Sequence, residues 1–297
     1  MDVPSTIMRE MESFHASIAK ALQGLPENAC NIGAIRTLGW TSIQSNIDIN
    51  RLLFLWRIIC LPVTCIYKRL LITRYGYICY DMYDCKGPLK CMLDTAKKYN
   101  LFNHVREAIE SGQHITMNAW KRLVKETVRQ KEECKWRVNA SLYSSLRRLR
   151  QSMPSLSISA WWSLCQNNPC IVDKCKTAIK LLLECHQLNV RVCKYPNSLV
   201  KSSLCTSCNM FINDTIEHML FECSSLYDIR KRLWNNIIDE CPSEIFIRQM
   251  EQMDSDKRAT YLVSCLHNSY IVEWNHLFNA IVTYIHVLYR KKLALTN

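Results

Sequence analysis

Three cysteines and a histidine fall at Cys205, Cys208, His218 and Cys223, spaced C-x2-C-x9-H-x4-C. Thiolate sulfur and imidazole nitrogen are the donors zinc prefers, and four protein ligands close its tetrahedron. The expected chemistry is a structural zinc site, with no position left open for water or substrate. Two residues between Cys205 and Cys208 let one tight turn aim both sulfurs inward. Asn213, Asp214 and Thr215 offer short polar side chains to cap a helix that carries His218. On an unbroken α-helix, residues five apart point about 140° from each other. For Cys223 to ligate beside His218, the chain must leave helical geometry near Phe221 or Glu222. Seventeen cysteines in 297 residues produce some close pairs by chance, and a free cysteine often behaves as a small buried hydrophobe. The added histidine and fourth cysteine separate this window from such a coincidence.

The elements that must hold these ligands are read as helices. Hydrophobic residues make up 48% and charged residues 22%, with only 6 Gly and 8 Pro. That is a globular composition poor in turn formers, so the fold class is all-α, an irregular multi-helix bundle with a small CCHC knuckle between helices. Ile7, Met11, Phe14, Ile18, Ala21 and Leu25 repeat at steps of four and three, a stripe expected to face the core. Residues 32–40 read as turn-rich. Asp48 or Asn50 is the expected cap of an apolar helix Leu52–Cys60, followed by a basic helix Tyr67–Tyr75 and a loop over 76–88. Leu89–Ile109 reads as one helix ending at Ser111-Gly112, and 118–137 as the clearest basic helix. A break at 152–159 precedes Trp161-Trp162 and a helix Lys174–Leu188. After Cys223, Leu226, Ile229, Leu233 and Ile237 line another helix with Trp234 at its flank and Arg230 on its apolar side. There Arg230 requires an acidic partner, Glu217 or Glu222, or else a phosphate. Two or three helices follow from Ser243. The divisions expected are 1–195, a helical region with a basic face; 196–240, the knuckle and its helix; and 241–297, a helical tail.

Charge is placed unevenly. Residues 1–150 hold 23 Lys and Arg against 13 Asp and Glu, and residues 151–297 hold 15 against 13. Trp120, Val124 and Val128 share one face of the basic helix, with Lys121, Arg122, Lys125 and Arg129 largely off it; Arg147, Arg148 and Arg150 follow. These seven are the candidate phosphate contacts. Trp120 could stack on bases, but a tryptophan at helical spacing is more often core. The longest apolar run, Leu52 to Tyr67, is interrupted by Arg57 and Pro62 and falls short of the roughly 20 residues a bilayer requires. Neither a membrane partner nor a secretory leader is expected. With an odd number of cysteines, the expected setting is reducing and intracellular, nucleus or cytoplasm.

The window Cys205-x2-Cys208, Asp214-Thr-x-Glu217-His218-x4-Cys223, Arg230-x2-Leu233-Trp234 resembles the zinc-binding module at the C-terminal end of reverse transcriptases from non-LTR (LINE-type) retrotransposons. Ile32–Trp40 with Arg51–Leu55 is similar to the segment after the polymerase thumb, and Met117–Lys125 to a Trp-containing helix of the same region. The likeness covers roughly 30–240 and is loose outside the knuckle. It implies structural zinc and a role in gripping template RNA or target DNA during target-primed reverse transcription, beside an upstream polymerase domain. It makes Glu217, Arg230 and Trp234 supports of the metal ligands. No Asp-Asp dipeptide is present to hold catalytic metal ions, and the endonuclease Pro-Asp motif, a P-loop, G-x-S-x-G and H-E-x-x-H are missing too. The expectation is therefore a non-catalytic nucleic-acid-binding module. A helical protein-interaction scaffold is the alternative, and a cryptic Cys/His enzyme a third reading.

Overall fold

The computed structural model describes residues 3–79, 87–153, 157–208, 210–241, 243–265 and 274–296. Among them the fold is all-α, with fifteen α-helices and only two isolated β-bridges. The expected loop at 76–88 and break at 152–159 lie partly outside the described residues, as does Pro242. The chain divides into two compact units, Met1–His15 with Thr41–Val138, and Ala16–Trp40 with Asn139–Asn297. Helices α1 (Ser5–Gln23) and α7 (Met117–Ser141) each supply residues to both.

In the first unit, α3 (Ile43–Ile59), α4 (Ile66–Cys79), α5 (Pro88–Lys98), α6 (Phe102–Glu110) and most of α7 enclose one apolar core. Trp56 and Trp120 stack at its centre, ring centroids 4.0 Å apart, a pairing that adds about 1 kcal/mol to area burial. Each indole N–H reaches a carbonyl, Trp56 to Ile115 and Trp120 to Leu52. Trp120 is thus core, and its stripe continues through the buried Val124 and Val128.

Several helix boundaries differ from the sequence reading: the expected Lys174–Leu188 stops at Leu182, with Glu184 at a left-handed φ of 54°, and the expected Tyr67–Tyr75 continues to Cys79. Ser42 caps α3 by accepting from the Ser45 amide at 3.2 Å, so the helix starts well before Asp48. Asp48 is buried mid-helix instead, held by Lys98 at 2.5 Å and by the Tyr99 hydroxyl at 3.0 Å. The expected helix Leu89–Ile109 is two, because Asn100 takes a left-handed φ of 58° between α5 and α6.

In the second unit, α10 (Val172–Leu182) and α15 (Asn275–Thr296) pack side by side. Around them lie α8 (Arg147–Ser152), α9 (Ala160–Asn167), α12 (Tyr227–Asp239) and α14 (Ser255–Ser264). The short α11 (Asn189–Val192) leads toward the knuckle, and α13 (Glu244–Gln252) follows α12. The 32–40 segment is largely helical, α2 (Asn31–Thr37), not turn. Gly33 lets α2 sit tight: a Cβ there would meet Leu146 at 2.7 Å and Leu183 at 2.8 Å.

The stripe of α1 does not face a core. Ile7, Met11, Phe14 and Ile18 are exposed, Phe14 to 68%, whereas Ala16, Ala19 and Gln23 are buried, and of the stripe only Leu25, just beyond the helix, is buried as expected. Small alanines let that side approach closely, and the Gln23 amide donates to the Ala34 carbonyl at 2.7 Å while its oxygen accepts from the Thr37 hydroxyl at 2.6 Å. Among the described residues no helix is long and apolar enough to cross a membrane.

Candidate metal centre

A short hairpin and one distorted helical turn bring the four candidate ligands together. Leu204 bridges Asn213, with the Cys205 amide donating to the Ile212 carbonyl and the Asp214 amide to Ser203, both at 2.8 Å. Phe211 turns the chain with φ at 52°, which a non-glycine residue tolerates only where surrounding bonds fix it. Cys205 and Cys208 sit at the near end of this hairpin with sulfurs 3.3 Å apart, far beyond a disulfide bond length of about 2.05 Å.

Thr215 caps the following turn: its hydroxyl accepts from the His218 amide at 3.1 Å. Residues His218–Glu222 then wind as a π-turn, closed by the Cys223 amide on the His218 carbonyl at 2.7 Å. An i→i+5 bond sets residues five apart nearly one above the other. The ligand geometry that an α-helix forbids is thus achieved by widening the helix, and extended backbone follows only at Cys223. The Tyr284 hydroxyl, from α15, donates to the Leu220 carbonyl that the wider turn frees.

All four side chains are buried, and their ligand atoms lie within 4.8 Å of one another. Nε2 of His218 is 3.3 Å from the Cys208 sulfur, and the Cys205 and Cys223 sulfurs are 3.9 Å apart. His218 Nδ1 faces Glu222 at 3.7 Å. The set can hold a metal ion. Among the described residues it is the one such group that includes cysteine or histidine with other potential ligands, so the remaining cysteines are packed or exposed thiols.

The sequence reading missed the residue that governs the electrostatics here. Lys292 of α15 is fully buried, and its ammonium donates to the Cys205 sulfur at 2.7 Å and to the Ser207 hydroxyl at 3.2 Å. It lies 3.0 Å from the Asp214 carboxylate and 3.9 Å from the Cys223 sulfur. Asp214 is therefore not the helix cap; its other oxygen accepts from the Asn189 amide at 3.0 Å. Burial opposes ionisation of Cys205, but hydrogen bonds from Lys292, Cys208 and His218 outweigh it and bring the thiol down to about 6. Burial also opposes the charge on Lys292, yet Cys205 and Asp214 hold its pKa above the ordinary lysine value. Burial pushes the Cys208 thiol up. Three thiolates and a neutral imidazole around a divalent ion would sum to one net negative charge, and the ammonium of Lys292 offsets one of the two negative charges that this site and Asp214 would present to it. The signal was in the sequence: Lys292 continues the apolar stripe Ile281, Ile285, Leu288 at helical spacing.

The other candidate residues separate into those facing solvent and those consumed by the fold. Lys121, Arg122 and Lys125 are exposed on α7. Arg129 is held by Glu126 at 2.9 Å and Glu133 at 2.8 Å on the same helix. Arg150 is exposed, but Arg147 pairs with both oxygens of Asp256. Arg148 is no phosphate contact. It is buried, bonded to Glu184 at 2.9 Å, Asp256 at 3.0 Å, Thr260 at 2.8 Å and Glu217, so all three of its side-chain nitrogens are engaged. Glu217 is thereby taken, and Arg230 finds neither expected acid; it donates to the Cys223 carbonyl at 3.0 Å. Trp234 meets Tyr284 edge to face at 5.7 Å, supporting the ring whose hydroxyl donates to the Leu220 carbonyl. Comparison with protein-family models, with curated proteins and with solved structures gives no match.

Proposed function

We propose that this chain is a non-catalytic, zinc-stapled helical module that binds nucleic acid. In this reading it positions template RNA or target DNA, as the resemblance to the region after the polymerase of non-LTR retrotransposon reverse transcriptases implies. Zinc is favoured by the donor set and by its spacing. Metal–sulfur bonds of about 2.3 Å give a tetrahedron with edges of about 3.8 Å, and the sulfur separations of 3.3 and 3.9 Å need only small shifts to match. Four protein ligands would leave no coordination position for a substrate, so the metal's role is folding, not chemistry.

The observation that carries nucleic-acid binding is the division of α7. One side buries Trp120, Val124 and Val128 in the core. The other presents Lys121, Arg122 and Lys125 to solvent, and among the described residues none of the three has a carboxylate partner. Unneutralised cations on a rigid helix suit phosphates at helical spacing. The test is anisotropy of a fluorescent single-stranded RNA against salt, with Lys121, Arg122, Lys125 and Arg129 changed together to Gln. Affinity should fall steeply with salt, and the variant should lose about 0.7 of the log–log slope per phosphate contact removed, with unchanged circular dichroism. No binding at low salt, or binding indifferent to salt, overturns the reading. Mass spectrometry of the purified protein should find one zinc per chain and little in Cys208→Ser.

The second reading, a protein-interaction scaffold, is favoured by the exposed Ile7, Met11 and Ile18 on α1. It predicts complexes that survive nuclease digestion and are lost when Ile7 and Met11 become Glu.

A further inference from the structure

A cleft of about 870 Å³ in the second unit opens beside the paired helices α10 and α15. Its volume falls in the range of small-molecule sites. Helix α10 places Lys176 and Lys180 one turn apart on its wall, and α15 places His286 and Arg290 one turn apart on the facing wall. The acid in the lining, Asp173, is already taken by Lys176 at 3.1 Å. Among the described residues, neither Lys180 nor Arg290 has a hydrogen-bonding or carboxylate partner for its side chain. Burial, and then the charges of Arg290 and Lys174, hold the His286 imidazole below its usual pKa. Asp173 opposes those two charges, and burial is the larger cause. Tyr195 at the lip is 40% exposed, with the Arg191 guanidinium 6.0 Å from its ring centroid. With Asp173 spent on Lys176, Lys180 and Arg290 lack a counter-charge of their own, and an anion entering the cleft relieves the repulsion between them. An exposed aromatic ring beside them supplies a face on which a base can stack.

We propose that this cleft is a phosphate-ester site, in which Lys180 and Arg290 engage phosphate and Lys176 and Tyr195 line the path of the attached nucleoside. The ligand chemistry is that of a nucleotide unit, drawn either from a single-stranded nucleic acid or from a free mononucleotide. The inference rests on the nucleic-acid reading above and extends it to residues of the second unit.

The experiment titrates a fluorescein-labelled oligouridylate into the full chain, with uridine monophosphate and inorganic phosphate as competitors. Lys180→Glu with Arg290→Glu removes the cleft cations. Lys201→Glu with Arg232→Glu, both exposed positions away from the cleft, makes the same change of net charge elsewhere. The cleft pair should weaken oligonucleotide binding about tenfold and lower its salt slope by about 1.4, the value for two phosphate contacts on a single strand. The control pair should change affinity less than about threefold, and circular dichroism should be unchanged in both. Displacement of the oligonucleotide by uridine monophosphate would assign the cleft to a free nucleotide, and failure to displace it to the strand itself. Equal losses in the two pairs, or no loss in the cleft pair, overturns the cleft proposal. If, in addition, the Lys121/Arg122/Lys125/Arg129 variant has lost binding, the nucleic-acid reading survives without the cleft. Absence of oligonucleotide binding by the unmodified chain at low salt overturns both.

Discussion

Lys292 and Asp214 illustrate how a charge comes to lie on an apolar stripe. Each is almost completely withdrawn from water, and the two stand 3.0 Å apart, with the Cys205 sulfur also accepting from the ammonium. Removing one member of such a pair leaves the other charge stranded, which costs about 3–5 kcal/mol. Lys292→Met should therefore lower the stability of the protein by that order in denaturant titration. Lys292→Met combined with Asp214→Leu should recover part of it, a coupling that a double-mutant cycle measures. The same logic holds for Arg148, whose guanidinium collects Glu184, Glu217 and Asp256. Hydrogen bonding from Arg147, against the opposing effect of burial, holds the Asp256 carboxyl well below its ordinary value. A carboxyl depressed in the folded state contributes stability that is complete above its unfolded pKa of about 3.9 and is lost as pH falls below it. Unfolding midpoints measured from pH 6 down to pH 3 should drop, and Asp256→Asn should flatten the fall.

At the scale of elements, helix geometry settles which residues meet. Trp120 of α7 lies flat against Trp56 of α3, so Trp120→Ala should destabilise by about 3–5 kcal/mol through the cavity it leaves. A tryptophan used to stack on bases would instead lose RNA binding while thermal stability stayed the same. The π-turn His218–Glu222 is the other decisive element. Inserting one alanine after Met219 would set His218 and the displaced cysteine six apart, about 120° around an α-helix, and should abolish metal retention by mass spectrometry. The helical nature of most segments was legible from spacing: Trp120, Val124 and Val128 are buried as their period required. The stripe on α1 was legible too, but its burial was not, since periodicity identifies an apolar face without identifying what covers it. The boundary at Asn100 escaped because asparagine adopts left-handed backbone only where the next helix docks.

At the scale of the whole molecule, the two compact units have separate reasons to be stable. The first has the apolar core around Trp56 and Trp120; the second has helices α12 and α15 seated against the Cys/His cluster, α15 supplying Lys292 to it. Chelation should therefore act unevenly. In hydrogen exchange, amides of 203–223 and of α15 should lose protection on treatment with chelator, while those of α3 and α7 near Trp56 and Trp120 keep theirs. Uniform loss across both units would mean that the ligands staple more than the unit that contains them.

The sequence by itself determined the all-α class, the four Cys and His residues that gather into a cluster able to hold a metal ion, and the need for a departure from α-helical geometry before Cys223. Those properties depend on residue type and on spacing along one segment, which the chain carries locally. Only the tertiary structure decided that Lys292 attends the cysteines, that Arg148 is spent on three acids from distant segments and that Arg230 bonds a carbonyl. A charged side chain has the same propensities on an exposed face and on a buried one. Which of the two it occupies is fixed by partners many residues away, and the energy that permits burial exists only once the elements have packed.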